Sequence, residues 1–271
     1  MLCYILMMRL SIFFKPIVTH RSKILYVEDI DTHRKFVLKN SQSITREHDN
    51  LLAIQSCNRS QSLAFPHLLS FKKQQYVALE LLEQYIPKAT HPVHTDRQAA
   101  DLLMPYFEAV HDLHTNSSII SHCDIKFTNF MRHPVTKDVT LIDFGCAAFT
   151  DASTSECDAD IHRGSPYNRS PEIFQHRVHQ HTDTWALGIM LYQALHPEIH
   201  PLEVFNKGLI LSSIDFRRAI QNIPYNHFSM WTNYDAPLCS DLICRMLIQD
   251  PEERFSVDES ISFLRWIQSK T

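Results

Sequence analysis

Ser11 to Val18, Ile24 to Val27 and Lys35 to Lys39 carry β-branched and aromatic residues between polar turns, and this pattern predicts strands. Ile44 to Ile54 predicts a helix, with Ile44, Leu51, Leu52 and Ile54 broadly on one side. Tyr76 to Leu82 (YVALELL) returns to strand character. From Gln98 onward the chain turns helical. Ala99, Leu102, Leu103, Tyr106, Phe107, Val110 and Leu113 follow the three-to-four repeat of a buried stripe. Pro105 lacks a hydrogen-bond donor, so it is expected to kink that helix or mark its first turn. Beyond Ile119 an irregular region ends in the hairpin-like VTLIDF, and further helices are predicted at Thr182 to Leu195, Cys239 to Leu247 and Val257 to Ile267. A strand-rich small half followed by a helical large half makes an α+β chain with a cleft between its parts.

Composition narrows the function classes. The chain has 271 residues, 44% hydrophobic and 21% charged, ordinary for a globular protein with ample material for a core. A net charge of -4 argues against nucleic acid as a partner held by bulk electrostatics. The seven cysteines (3, 57, 123, 146, 157, 239 and 244) form an odd set without CxxC spacing, which predicts reduced thiols in an intracellular protein, cytoplasmic or nuclear. The opening MLCYILMMRLSIFF is apolar. Arg9 interrupts it, no small-residue cleavage site follows, and it is too short for a span, so it is expected to be a first strand rather than a membrane or secretory element.

The chemistry is concentrated in two short stretches. Residues 122–129 read HCDIKFTN, and DFG follows at Asp143-Phe144-Gly145. A carboxylate such as Asp124 can orient a hydroxyl and accept its proton. Lys126 offers positive charge to an oxygen that gains charge during transfer. Asn129 and Asp143 present hard oxygen ligands of the kind Mg²⁺ prefers beside phosphates. One base, one cation and two magnesium ligands on adjacent loops point to phosphoryl transfer.

These motifs resemble those of the eukaryotic-type protein kinases, over roughly Ser11 to Ile267. HCDIKFTN resembles the catalytic loop, which makes Asp124 the base and Asn129 a metal ligand; DFG supplies Asp143 to the metal. FVLK resembles the third-strand motif, so Lys39 is expected to hold the α- and β-phosphates of ATP, with Glu47 in TREHDNLL as its helix partner. GSPYNRSPE resembles the end of an activation segment, with Ser170-Pro171-Glu172 in place of APE. DTWALG resembles the helix that anchors the catalytic loop through Asp183, and Arg254 in DPEERFS is the family's partner for Glu172. Lys126 and Ser165 resemble the serine/threonine class. The resemblance implies a single domain over 1–271, with a small antiparallel-sheet lobe and hinge over about 11–82 and a larger, mainly helical lobe over about 83–271. It also implies ATP and Mg²⁺ as cofactors and a protein substrate with a Ser or Thr acceptor. YVALELL becomes the hinge: Leu79 the gatekeeper, Glu80 carbonyl and Leu82 amide at the adenine edge, Val37 and Met131 closing on the two faces of the ring. The compact, divergent pattern is similar to that of viral members.

The pattern breaks in several places. No glycine precedes Gly145, so the glycine-rich loop over the phosphates is missing; the turn VTHRSKI offers His20, Arg21 or Lys23 instead. Cys123 stands where the family carries an arginine that receives activation-loop phosphate, which leaves Ser153, Thr154 and Ser155 as phosphosites without that receiver. Lys39 and Glu47 lie only eight positions apart, and Thr128 replaces an acidic residue used by basophilic members. His176, His179, His181, His196 and His200 match no standard zinc spacing. Cys123 and Cys146 flank the catalytic elements and are read as inert thiols. The rival reading is a pseudokinase that serves as scaffold or allosteric partner.

Overall fold

The computed structural model describes residues 10–12, 16–18, 22–41, 44–57, 67–71, 74–80, 83–84, 93–116, 119–132, 138–149, 156–158, 164–197 and 235–270. Its first part is an antiparallel sheet built from β1 (Leu10–Ile12), β2 (Ile17–Val18), β3 (Ser22–Asp29), β4 (Lys35–Ser41), β5 (His67–Phe71) and β6 (Gln74–Glu80), with one helix, α1 (Ile44–Cys57), between β4 and β5. The order is β1-β3-β4-β6-β5, and β2 also pairs with β3. The expected single strand over Ser11 to Val18 is therefore two. Ile12 faces Val27 while Ile17 faces Ile24, so the register slips between them, and Pro16, which has no N–H for the ladder, stands at the restart. Along β3 the pleat buries Leu25 and Val27, which pack with Phe36, Leu38 and Tyr76 into a small core.

Beyond this sheet, β7 (Glu83–Gln84) pairs not with β6 but with β9 (Phe130–Arg132), which pairs in turn with β10 (Val139–Leu141). The chain thus leaves the first sheet at Glu80 and joins a second one at Glu83. The large core is helical: α2 (Asp96–Asn116), α3 (Thr182–Leu195), α4 (Pro237–Met246) and α5 (Val257–Lys270) close around Leu103, Phe107, Trp185, Leu187, Leu242 and Leu264, all fully buried. Pro105 lies in the middle of the 21-residue α2 and not in its first turn. Two further ribbons, β8 (Ile119–Ser121) with β11 (Ala148–Phe149) and β12 (Glu156–Asp158) with β13 (Arg177–His179), tie the loops between α2 and α3 to that core.

The buried face of α1 differs from its apolar pattern. Leu52 is exposed, while Glu47 and Asn50 are buried beside Leu51. This helix packs against β4, β6 and the turn at Phe144–Cys146, and that turn presents the Phe144 carbonyl to it.

Candidate active site

Lys39 on β4 is the link between the two parts of the chain. Its Nζ donates to Glu47 Oε1 at 2.9 Å and to Asp143 Oδ1 at 2.7 Å, although Asp143 lies 104 positions away. Burial alone would lower the lysine pKa, but the two carboxylates outweigh it and the ammonium is held above its ordinary value. Burial raises Glu47 in spite of Lys39. Asp143 moves the other way: burial opposes its charge, but Lys39 outweighs that and holds the carboxyl below its ordinary value.

Asp124, 7% exposed, is fixed on every side. Its Oδ2 accepts from Lys126 Nζ at 2.8 Å and from Asn129 Nδ2 at 3.1 Å, and its Oδ1 accepts from the Ser165 N–H at 2.7 Å. Lys126 Nζ also reaches Ser165 Oγ at 2.8 Å, so it bridges the catalytic loop and the stretch GSPYNRSPE. Asn129 spends its second amide hydrogen on the Asp124 carbonyl at 2.8 Å. Its Oδ1 is left as an acceptor. The Ile142 N–H donates to the Asn129 carbonyl at 2.9 Å and seats that loop beside Asp143. The Asn129 amide oxygen and the second carboxylate oxygen of Asp143 are hard-oxygen groups, the donor chemistry that could hold Mg²⁺.

Asp183, at the start of α3 and fully buried, holds the loop from below. It accepts from Ser121 Oγ at 2.8 Å, the backbone N–H groups of His122 at 2.7 Å and Cys123 at 2.9 Å, and His114 Nε2 at 2.8 Å. Burial works against that carboxylate's charge, yet His114 and the other donors keep its pKa below the ordinary value. These bonds compensate for the left-handed backbone of Cys123 (φ 62°). His122 donates from Nε2 to the Ile142 carbonyl at 3.1 Å and accepts the Asp124 N–H on Nδ1 at 3.3 Å, which sets its tautomer. Full burial pushes its pKa down, in line with an Nδ1 that accepts rather than donates.

Gly164 has φ 73°, and a Cβ there would stand 2.0 Å from the Cys123 carbonyl. Only glycine lets this stretch approach the catalytic loop so closely. Arg169 donates to the Gly164 carbonyl at 2.7 Å and Asn168 Nδ2 to the Ile125 carbonyl at 2.9 Å. Gly164, Asn168, His114, Ser121 and Asn50 escaped the sequence reading; for Asn50 the available signal was its position one helical turn after Glu47.

Val37 on β4 faces Leu79 on β6, and Met131 on β9 faces Gln84 on β7, so they stand one strand away from the two ends of the crossing. Glu80 ends β6 opposite Phe36. Leu82, His20, Arg21, Ser153, Thr154, Ser155 and His200 lie outside the described residues. Lys23, expected in the turn, lies within β3 opposite Val18 and Asn40. Thr128 is exposed on the turn Phe127–Asn129.

A model of the protein kinase domain matches residues 16–264. The chain belongs to the protein kinase domain family. The kinase domain is 29% identical over 188 residues to Calcium-dependent protein kinase SK5 of Glycine max, covering 66% of this chain and 33% of that protein. It is 30% identical over 197 residues to Calcium-dependent protein kinase 2 of Oryza sativa subsp. japonica, covering 70% and 34%. It is also 25% identical over 259 residues to the Serine/threonine-protein kinase H1 homolog of Danio rerio, covering 92% and 59%. The chain thus spans about a third of the plant proteins and under two thirds of the fish one. Among the described residues of the kinase domain, no helix is long and apolar enough to cross a membrane.

Two histidines of the run, His179 and His181, bond within the fold of the kinase domain. His179 Nδ1 accepts the His181 N–H at 3.0 Å, and His181 Nδ1 donates to the Pro251 carbonyl at 2.8 Å. Among the described residues no cluster of three or more His, Cys, Asp or Glu could hold a metal.

Proposed function

We propose that this chain is a serine/threonine protein kinase that transfers the γ-phosphoryl group of ATP to a protein hydroxyl, residues 1–271 working as one catalytic domain with its smaller lobe over about 11–82. The reading is carried by one observation: Asp124, Lys126 and Asn129 are bonded to one another and to Ser165, within a loop joined to Asp143. Asp124 accepts the hydroxyl proton as transfer proceeds, and its bonds to the Ser165 N–H and Lys126 hold it in place. Lys126 neutralises charge at the entering oxygen. Asn129 Oδ1 and Asp143 would hold Mg²⁺, and Lys39, kept in line by Glu47, would hold the α- and β-phosphates. MgATP, when bound, supplies the phosphoryl group and the charge neutralisation around it. Val37, Leu79, Glu80, Leu82 and Met131 make the adenine site. Cys123 offers no cation to a phosphorylated segment, so activity does not wait on phosphorylation.

A non-catalytic scaffold is the second reading, favoured by the absence of glycine before Gly145. Transfer of radiolabelled phosphate from ATP by the pure protein, compared with Asp124→Asn, decides between them. The variant should lose about a hundredfold or more in turnover, the contribution of a positioned base. Equal, background-level incorporation by both proteins would leave the scaffold reading standing.

A further inference from the structure

Two successive turns of α1 reach the same short stretch of chain. Glu47 grips Asp143 through Lys39, and three residues later Asn50 Nδ2 donates to the Phe144 carbonyl at 2.7 Å. The partner is a carbonyl, so only the NH₂ end of the amide can serve there. The same carbonyl accepts the Ala147 N–H at 3.1 Å, so both of its lone pairs are used. Asn50 is 8% exposed, and a buried amide is tolerated only where it is matched. The Phe144 ring is held as well, edge-on to His122 at 5.0 Å.

The residue just before this carbonyl needs such a grip. Asp143 has φ 68° and ψ 65°, a left-handed conformation that a non-glycine residue keeps only when its surroundings over-determine it. With the next residue pinned at ring and carbonyl, the Asp143 backbone is fixed and its carboxylate meets Lys39. We propose that Asn50 is a positioning residue for Asp143: its amide pins the Phe144 carbonyl and so keeps the adjoining carboxylate turned toward its metal. The inference rests on the reading of Asp143 as a magnesium ligand.

The test uses the whole chain, with Mn²⁺ as a spectroscopic stand-in, titrated in the presence of ATP and followed by electron paramagnetic resonance. Asn50→Leu keeps the volume and removes the donor, Asn50→Ser shortens it without adding apolar bulk, and Asn50→Gln keeps the amide. Leu and Ser should weaken Mn²⁺ binding at least about fivefold, the lower end for coupling between sites, and Gln should recover part of the loss. The Ser variant carries the test if Leu fails to fold. Parental Mn²⁺ affinity in folded Leu or Ser protein, with only a lower melting temperature, overturns the proposal, because packing alone then explains the residue. A parent that binds Mn²⁺ with ATP in an Asn50-dependent way but phosphorylates nothing sinks the kinase assignment and leaves this inference standing. A parent that binds no Mn²⁺ with ATP sinks both.

Discussion

Arg254 and Glu172 form a bidentate pair at 2.8 and 2.9 Å, 82 positions apart and both buried. The remaining guanidinium hydrogens go to the carbonyls of Ile248, His181 and Gln249, and the Arg254 carbon sits 5.2 Å from the Trp185 ring. Removing one partner of such a pair strands the other's charge, which costs about 3–5 kcal/mol. Arg254→Ala should lower stability by that amount in urea unfolding. Burial opposes the charge of Glu172, but Arg254 outweighs it and holds the carboxyl below its ordinary 4.5, so the pair's contribution is complete at neutral pH and is lost as pH falls through the folded value. A loss below about 1 kcal/mol, within the range of exposed pairs, would show that the pair is not sealed.

Gly164→Ala tests the close approach to the catalytic loop. The added methyl would meet the Cys123 carbonyl and must take φ 73°, so the Gly164–Ser165 peptide has to move away from Asp124. Turnover should drop at least about tenfold, equivalent to about 1.4 kcal/mol of barrier, with the helical core intact by circular dichroism. Parental turnover in this variant would mean the segment does not depend on that contact.

His122, His181 and His196 are all pushed below the ordinary histidine value of 6.5 by burial. The unfolded chain therefore takes up protons as pH falls past 6.5 while the folded chain does not, and these three residues favour unfolding progressively below that pH. Imidazole resonances followed by NMR should titrate below 6.5. A His122 resonance that titrates at or above 6.5 contradicts the seating of this ring.

Cys123 Sγ donates to the Ser121 carbonyl at 3.6 Å, and a thiol is no cation for a phosphate. Protein treated with phosphatase should therefore keep most of its activity, and Ser153→Ala, Thr154→Ala, Ser155→Ala combined should change little. A loss of about tenfold or more in either assay, about 1.4 kcal/mol of barrier, would reveal a phosphate switch.

Nucleotide affinity should reflect the missing glycines. A backbone donor to phosphate is worth about 1.5–3 kcal/mol, and only glycine lets backbone amides approach a phosphate with no side chain in the way. ATP should bind at least about tenfold more weakly than to a glycine-loop relative in the same buffer, a difference of about 1.4 kcal/mol, while adenosine loses less. Calorimetry of both ligands with magnesium measures it. Tight ATP binding that survives Arg21→Ala with Lys23→Ala would establish a second phosphate clamp.

The candidate site was legible because most of it is local in sequence. HCDIKFTN and DFG are contiguous, and the spacing of Asp124, Lys126 and Asn129 survives any packing. The longer helices were legible for a similar reason: α3 runs over the expected Thr182–Leu195, a stretch too long for one strand and apolar nearly all round, as suits a helix buried on almost every side. β5, β7, β8 and the β12–β13 ribbon were not read, since strands of two to five residues carry too few positions for periodicity, and their pairing is set by partners far along the chain. What the tertiary structure decided is where polar groups go. It buries Glu47 and Asn50 and exposes Leu52 on α1, against the apolar pattern, because that helix meets Lys39 and the Phe144 carbonyl on the same side on which Leu51 joins the core. It also brings Asp143 to Lys39 and Gly164 to Cys123. A sequence records which residue types can bond, but burial and long-range contact determine which of those bonds form.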